Sequence, residues 1–437
     1  MMRYKFLTIL AITVFLSAPV LAQDSPSLNV ATRERVVEGV ASRIEASFYD
    51  SEMAGEIAED LRTRLSAGEF DDADNAASLA SQLTEILHPS DSHFSVRYFG
   101  PPPPSSGGAA PNRPAGSPSA AGRRDNFGFR EVSILPGNVG YIDMRQFYPT
   151  QIGGDTALAA LNFIQNTDAV IFDMRQNGGG SPSMVQFLIS HFLDPNARTV
   201  INTFRSSNRD YPGELLSLSY LPGEARPEVP LYVLTSGRTG SAGEAFPYHL
   251  QAMERATIVG ETTYGAGNPG GYMPVGDGFR VFVSNSRTQN PFTGTNWEGV
   301  GVMPDIAVPA ADARDAALIL AYDAILETAE DAGHRRSVEW ARDAINIRNN
   351  PPVFDLESNL DILGHYDERE IYLEDGNIYY RRGRQPGRRL IYLNDDLFLI
   401  EEMENLRLSV QRDNGHVVSL TFHRANGQSM VVMRDAD

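Results

Sequence analysis

Two apolar runs that each end in a glycine-bearing loop constrain the fold of this chain more than any other feature. Residues 169–174 read Ala-Val-Ile-Phe-Asp-Met and precede the loop Asn-Gly-Gly-Gly at 177–180. Residues 229–234 read Val-Pro-Leu-Tyr-Val-Leu and precede Thr-Gly-Ser-Ala-Gly-Glu at 239–244. Such runs are typical of strands buried in parallel sheets. Because helical segments follow both loops, the alternation predicts right-handed crossovers and an α/β core with a mixed, partly parallel sheet.

The segments around this core have other patterns. Helical periodicity over residues 28–87 predicts an N-terminal helical subdomain at 23–99, which ends in a strand at 94–99. Residues 100–126 are rich in Pro, Gly and Ser, which predicts a linker without a core. We expect the α/β core at 127–332, a helical connection at 333–350 and an antiparallel β domain at 351–437. The last prediction rests on hairpin signals such as Asp375-Gly376 and Asn426-Gly427.

The first 22 residues predict a secretory signal peptide. They combine a basic start, an apolar stretch and a small-residue end at Val20-Leu21-Ala22. No later segment approaches the roughly 20 apolar residues of a spanning helix, so we expect no membrane span. The predicted location is therefore the periplasm or the exterior of the cell.

Composition excludes several classes of function. The formal net charge of −19 argues against a nucleic-acid partner, because such partners require a basic face. The absence of cysteine excludes disulfides and thiol nucleophiles. A phosphate-binding loop is disfavoured at 177–180, since the Gly-Lys-Ser/Thr ending is missing. We expect no cofactor and no metal.

Ser241 is the first candidate for chemistry, and two interpretations of it are open. Ser241 and Glu244 have the spacing of a capping box, in which the serine caps the helix that follows. Alternatively, the turn presents the serine hydroxyl outward at a helix N-terminus, where amides and the helix dipole favour a developing oxyanion.

A nucleophilic serine needs a base. The sole lysine is Lys5, inside the predicted leader, so histidine is the leading candidate. The chain has eight histidines, at positions 88, 93, 191, 249, 334, 365, 416 and 423. His191 falls in an apolar helix, and His249 lies about 12 Å along the helix axis from Ser241. The others after position 300 lie beyond the core, which leaves His88 and His93.

Five motifs in order resemble the S41 serine peptidases, the tail-specific protease superfamily. They are Asp-Ser-His-Phe at 91–94, Asp-Met-Arg-Gln-Asn-Gly-Gly-Gly at 173–180, and the segments 235–244, 255–263 and 290–305. The chain is most similar to the branch of the tricorn protease core and the interphotoreceptor retinoid-binding protein. The resemblance implies a ClpP/crotonase-like core. Many members carry a PDZ domain, and this chain has the Pro/Gly/Ser linker in its place.

The resemblance also implies roles for individual residues. Ser241 matches the nucleophile, and His93 matches the base. Ser92 and Glu298 match the groups that orient this histidine. The resemblance implies an oxyanion hole made by the amides of Gly179 and Ala242, although the choice of glycine within the loop stays open. A lysine follows the serine in the dyad branch, but residues 263–268 contain none.

Two functions of different class follow. The first is a secreted serine peptidase that hydrolyses peptides or unfolded proteins through an acyl-enzyme, as a monomer or an oligomer. The second is a catalytically silent binding protein for an apolar ligand or a partner peptide on the same fold, since some relatives in the retinoid-binding branch carry hydrophobic ligands. The presence of the serine, histidine, glutamate and glycine loop together favours the peptidase.

Overall fold

The computed structural model describes residues 26–100, 120–206, 213–394, 396–403 and 405–435. The predicted signal peptide at 1–22 and most of the predicted linker at 100–126 lie outside these residues. At the end of that linker, Ala120–Arg124 form a short helix. Among the described residues, no helix has both the length and the apolar character needed to cross a bilayer.

The α-helices of the described residues are, in chain order, α1 (Val30–Ser47), α2 (Ser51–Ser66), α3 (Ala76–Leu87), α4 (Ala120–Arg124), α5 (Thr150–Phe163), α6 (Pro182–Ser190), α7 (Ala242–Ala252), α8 (Ala313–Thr328) and α9 (Ala332–Asn349).

The strands before α9 are β1 (Ser95–Tyr98), β2 (Phe129–Leu135), β3 (Val139–Met144), β4 (Ala169–Asp173), β5 (Val200–Arg205), β6 (Gly213–Leu216), β7 (Leu231–Thr235), β8 (Thr257–Gly260), β9 (Gly270–Gly276), β10 (Phe279–Ser284), β11 (Arg287–Gln289) and β12 (Ile306–Ala307). The strands after α9 are β13 (Gly364–Tyr366), β14 (Arg369–Glu374), β15 (Asn377–Arg382), β16 (Arg388–Asn394), β17 (Leu397–Ile400), β18 (Leu406–Asp413), β19 (His416–Arg424) and β20 (Ser429–Met433).

Two compact units divide the chain, and the first combines the described part of residues 1–104 with Gly271–Val283. Its three helices begin at side-chain caps: Asn29 accepts from the Thr32 amide, Asp50 from the Met53 amide and Asn75 from the Ser78 amide. These caps fix where the three helices of the predicted helical subdomain begin.

A small antiparallel sheet completes the first unit, in the order β1-β10-β9. Ser95 of β1 is opposite Phe282 of β10. Apolar side chains of β10 share one core with α1, α2 and α3. At Gly39 of α1, a Cβ would lie 2.4 Å from the carbonyl oxygen of Val275 in β9, so the helix and the strand pack at a distance that only glycine permits.

The second unit contains the predicted α/β core, built on a six-stranded sheet in the order β12-β8-β7-β4-β3-β2. Strands β3, β4, β7, β8 and β12 run parallel to their neighbours, and β2 is antiparallel to β3. The mixed, partly parallel sheet predicted from sequence is confirmed.

Helices cover both faces of this sheet because successive side chains of a strand point to opposite sides. In β4, Val170 and Phe172 join the core formed with α5, α6 and α7. Their neighbours Ala169 and Ile171 join the core formed with α8 and α9. Two-sided burial explains why β4 is almost continuously apolar in sequence. A separate antiparallel sheet in the order β11-β5-β6 also belongs to this unit.

The C-terminal part is an antiparallel meander in which β13 to β20 pair in sequence order. The hairpin signals are confirmed: Asp375 and Gly376 have φ angles of 47° and 74° and join β14 to β15. These left-handed values match a two-residue turn of the hairpin type. The predicted helical connection at 333–350 coincides with α9. The domain boundaries themselves stay a prediction.

Candidate active site

Ser241 occupies a strained turn between β7 and α7. Its φ and ψ angles are 52° and −122°, which is rare for a residue with a side chain. Such a conformation costs about 1–3 kcal/mol and persists where the surroundings fix it. Here Gly240 N–H donates to the Asn177 carbonyl at 3.0 Å, and the Thr239 hydroxyl donates to the Met174 carbonyl at 2.9 Å. The turn is thereby fastened to the loop after β4.

Ser241 begins helix α7 in a turn that keeps the capping-box arrangement predicted from sequence. The amide of Glu244 donates to the backbone carbonyl of Ser241 at 2.8 Å, and the serine side chain makes no capping hydrogen bond. The capping box is nevertheless present from both sides: the Ser241 side chain lies at the Glu244 amide, and the Ser241 amide donates to Glu244 Oε2 at 2.8 Å. The turn therefore combines the arrangement of a helix cap with a strained serine whose backbone carbonyl takes the hydrogen bond of that amide.

Glu244 is a fully buried carboxylate that ties the serine to a distant loop. Oε1 accepts hydrogen bonds from the Thr263 hydroxyl at 2.5 Å and the Gly265 amide at 2.6 Å. Oε2 accepts from the Ala266 amide at 2.8 Å and from the Ser241 amide. Burial raises the pKa of Glu244, and these four donors oppose the rise. The sequence signalled this residue only as a cap.

The glycine loop lies directly against the serine turn. A Cβ on Gly179 would lie 2.9 Å from the Gly240 carbonyl oxygen, 2.9 Å from Ser241 Cβ and 3.0 Å from the Ala242 nitrogen. The φ angle of Gly179 is 105°, which also favours glycine. Gly179 and Ala242, both predicted for the oxyanion hole, are thus brought next to Ser241.

The two predicted oxyanion donors differ in their present partners. The Ala242 amide at the start of α7 has no hydrogen-bond acceptor among the described residues. The Gly179 amide donates to Asn177 Oδ1 at 2.9 Å. Asn177 is fully buried, and its Nδ2 donates to the Met144 carbonyl. A substrate oxygen would have to replace Asn177 before it could accept from Gly179, whereas Ala242 can donate directly.

A buried ion pair fixes the loop after β4. Arg175 binds both oxygens of Asp173, at 2.9 Å through Nε and 2.6 Å through Nη2, and Tyr141 donates to Oδ2 at 2.6 Å. Burial alone would raise the pKa of Asp173, but the hydrogen bonds from Arg175 and Tyr141 outweigh it and hold the pKa below its ordinary value. The carboxylate is therefore charged at neutral pH and anchors the base of the glycine loop.

Glu298 belongs to the same unit as Ser241 and is held by the same loop that holds Glu244. Its Oε2 accepts from the amides of Gly267 and Asn268 at 2.6 and 2.9 Å. At Gly267 a Cβ would lie 2.9 Å from the Glu298 nitrogen, so this approach depends on glycine. Four consecutive amides, at positions 265–268, thus bind two carboxylates on either side of the loop. Nothing in the sequence pattern predicted this sharing.

His93 and Ser92 lie in the first unit, between α3 and β1, and both are half-buried. The backbone amide of His93 donates to Asp91 Oδ1 at 2.8 Å, and the imidazole Nδ1 is 3.7 Å from the same oxygen. The ring stacks on Phe282 of β10, with centroids 5.4 Å apart and planes 17° apart. Within its own unit, the backbone of His93 is therefore held by a buried carboxylate and its ring by an aromatic face.

The other histidines considered from sequence have different surroundings. His249 is buried in α7, and Asn290 Nδ2 lies 3.0 Å from its Nδ1. Burial lowers the pKa of His249 to about 3, so this ring is neutral and structural. His88 is the exposed C-cap of α3.

Comparison with known proteins shows what this part of the chain is similar to. The model of peptidase family S41 matches residues 138–308, which include Gly179, Ser241 and Glu298. The family resemblance predicted from the motifs is thereby confirmed.

Two relatives give the extent of the match. A carboxy-terminal-processing protease of Bartonella bacilliformis is 28% identical over 180 residues, 40% of this chain and 39% of that protein. A carboxyl-terminal-processing protease of a Synechocystis strain is 32% identical over 173 residues, 39% of this chain and 38% of that protein. The chain therefore spans about two fifths of the length of the curated relatives it matches. A solved lipoprotein structure from Streptococcus agalactiae aligns over 69% of this chain and 98% of its own, with 14% identity and a TM-score of 0.47.

Proposed function

We propose, from the match of residues 138–308 to peptidase family S41, that this chain is a serine peptidase with Ser241 as its nucleophile. The observation that carries the proposal is the serine turn itself. Ser241 is held in a strained conformation, the Glu244 amide donates to its backbone carbonyl, and the Ala242 amide beside it is available as a donor. A serine that only began a helix would not need the strained backbone.

The proposed reaction proceeds through an acyl-enzyme. The imidazole of His93 takes the proton of the Ser241 hydroxyl as the serine oxygen attacks the peptide carbonyl carbon. The carbonyl oxygen becomes an oxyanion that accepts a hydrogen bond from the Ala242 amide. The imidazolium then gives its proton to the leaving amine as the C–N bond breaks, and water hydrolyses the ester by the same steps.

The amide of Gly179 is the second proposed donor to the oxyanion. The proposal requires this amide to exchange Asn177 Oδ1 for the substrate oxygen. The exchange replaces a neutral acceptor by a charged one, which forms the stronger hydrogen bond. The gain is thus made as charge develops, which is when a catalytic interaction accelerates the reaction.

Glu298 and Ser92 are proposed to support His93. A carboxylate that orients a catalytic imidazole also stabilises its cation. Glu298 is suited to this work because two backbone amides fix its carboxylate, which limits the rotamers it can adopt. Ser92 precedes the histidine in sequence and supplies a hydroxyl for the same purpose.

The proposed substrates are peptides or unfolded proteins, because the catalytic groups must reach a peptide bond that folded proteins usually protect. The two relatives carry the name of carboxyl-terminal processing, so we propose carboxyl-terminal segments as the first substrates to test. The proposed location is the periplasm or the exterior of the cell, which follows from the predicted signal peptide at residues 1–22.

The test is to label the purified protein with a fluorophosphonate and to measure cleavage of unstructured peptides. Wild type is expected to label and to cleave, and Ser241→Ala is expected to do neither. Failure of the wild-type protein to label or cleave would overturn the proposal and favour a silent binding protein.

His88 and His93 are the two candidate bases that remain from the sequence analysis, and replacing each in turn tests which of them acts as the base. His93→Ala is expected to abolish cleavage, and His88→Ala, an exposed residue of the same unit, is expected to retain it. Glu298→Gln keeps the size of the side chain and removes its charge, so we expect a lower turnover number with unchanged folding. Equal activity of the His93 and His88 variants would contradict the role of His93.

A further inference from the structure

A cavity of about 540 Å³ opens on the C-terminal sheet, away in sequence from every residue of the proposed reaction. Four arginines line it, at positions 369, 382, 388 and 424, and no carboxylate of a described residue does so. In a chain with a formal net charge of −19, this is a local reversal of sign. The volume falls within the range of about 300–1,000 Å³ that is usual for small-molecule sites.

Arg369 of β14 is the buried member of this group, with a side chain only 5% exposed. Its nearest carboxylates are Asp367 at 3.6 Å and Glu368 at 3.9 Å, both of which are exposed. Its Nη2 has Met430 Sδ as an acceptor at 3.7 Å, and its Nε has no hydrogen-bond partner among the described residues. A guanidinium offers five donors and is costly to bury without acceptors. Arg369 therefore has N–H donors in the cavity wall for which the described residues supply few acceptors.

The other three arginines are only partly neutralised. Arg382 forms an ion pair with Glu368, and Arg388 forms one with Glu402 at 2.6 Å. The exposed Arg424 at the end of β19 has no ion pair with a described carboxylate. The cavity thus keeps a positive potential at its rim in addition to the buried charge of Arg369.

The rest of the wall is apolar. Tyr380 and Phe422 are buried core residues of the sheet, and Met403, Leu406 and Met430 complete this side. Arg369 lies over the Phe422 ring, with its Cζ 5.3 Å from the centroid. A ligand in the cavity would therefore meet guanidinium groups and apolar surface together.

We propose that this cavity binds a carboxylate joined to an apolar group. The planar guanidinium matches both oxygens of a carboxylate, and the apolar wall would remove the attached group from water. The free carboxyl end of an apolar peptide and a fatty acid share this chemistry. The proposal does not rest on peptidase activity, since none of its residues belongs to the proposed reaction.

Calorimetric titration of the full chain carrying Ser241→Ala tests the proposal without cleavage of any probe. Decanoate is expected to bind, and decanol, with the same tail and no charge, is expected to bind about tenfold more weakly or not at all. A peptide ending in leucine is tested with a free and with an amidated carboxyl end. Preference for the free peptide would identify polypeptide ends as the source, and binding of decanoate alone would identify fatty acids.

Arginine variants separate the cavity from nonspecific attraction. Arg424→Gln is expected to weaken decanoate binding about tenfold. Arg384→Gln removes an exposed charge of the same sheet region that does not line the cavity, and we expect it to bind as the parent does. Equal effects of the two substitutions, equal binding of decanol and decanoate, equally tight binding of inorganic phosphate, or no heat at millimolar probe would each overturn the proposal.

Discussion

The buried carboxylate of Glu244 allows a quantitative prediction about how the turn of Ser241, the proposed nucleophile, is held in place. We consider Glu244→Gln, which preserves the shape of the side chain. The carboxylate accepts four hydrogen bonds, two at each oxygen. An amide has one oxygen and one NH₂ group, so it can satisfy only part of this arrangement.

The structure indicates which part is kept. If the glutamine oxygen takes the place of Oε2, it still accepts from Ser241 and Ala266. Its NH₂ group then donates to the Thr263 hydroxyl and faces the Gly265 amide, so the hydrogen bond from that amide is lost. Loss of an acceptor by a buried donor costs about 1–3 kcal/mol, and we expect Glu244→Gln to lower the free energy of unfolding by about this amount.

Trp297 provides a local measurement of this effect. Its indole N–H donates to the Ala266 carbonyl at 3.0 Å, and its side chain is buried. The chain has two tryptophans, so Trp340→Phe leaves Trp297 as the sole indole reporter. Denaturant unfolding followed by its fluorescence gives the change in free energy. Glu254→Gln, at an exposed carboxylate beyond the end of α7, is the matched control, with an expected change within about 0.5 kcal/mol.

The pH dependence gives a second readout of Glu244→Gln. Because burial raises the pKa of Glu244, its folded state binds a proton more readily than its unfolded state. The wild-type protein should therefore gain stability relative to the glutamine variant as pH falls through the folded-state pKa towards about 4.3. A stability loss no larger than that of Glu254→Gln, or a difference that shrinks on acidification, would refute the reasoning.

Two further predictions concern the loop after β4. Gly179→Ala should lower kcat/KM for peptide cleavage at least about 100-fold, because its Cβ would meet the backbone of the Ser241 turn. The control is Gly178→Ala, whose Cβ meets no atom within 4 Å and which should retain activity. Equal kcat/KM values for the two variants would contradict the close approach of Gly179. Asp173→Asn should cost about 1.5–3 kcal/mol at neutral pH, since it leaves the half-buried Arg175 beside a neutral group. Because the folded-state pKa of Asp173 is lowered, this wild-type advantage should decline as pH falls below about 4 in unfolding experiments, and a constant advantage would be evidence against the ion pair.

The features predicted correctly from sequence are those encoded by neighbouring residues. Caps such as Asn29 and Asp50 set the starts of helices within a few residues, and the turn at Asp375-Gly376 sets a hairpin by itself. The buried strand β4 was recognisable because both of its faces are covered. Each of these signals is read from a short window of the chain.

Contacts between distant segments could not be predicted in this way. The sharing of amides 265–268 by Glu244 and Glu298 depends on three segments that meet only in the folded unit. The local pattern at Ser241 fits a helix cap as well as a nucleophile, and where the Glu244 amide donates its hydrogen bond could be seen only in the structure. The close approach of Gly179 likewise required coordinates, since a glycine-rich loop also fits an ordinary turn.

The first unit is built from two segments that lie far apart in sequence, which affects when it can fold during translation. Its core combines helices α1 to α3 with Phe279, Val281 and Val283 of β10. Strand β1, next to His93, pairs with that same late strand. At about 5–20 residues per second, a ribosome adds this partner roughly 10–40 s after β1. The strands of the central sheet from β2 to β8 are synthesised in the interval, so most of that sheet exists before the histidine-bearing unit can complete its core. A nascent chain would thus carry its serine turn before β10 secures the proposed base, so the proposed proton transfer would have to wait until translation has passed residue 283.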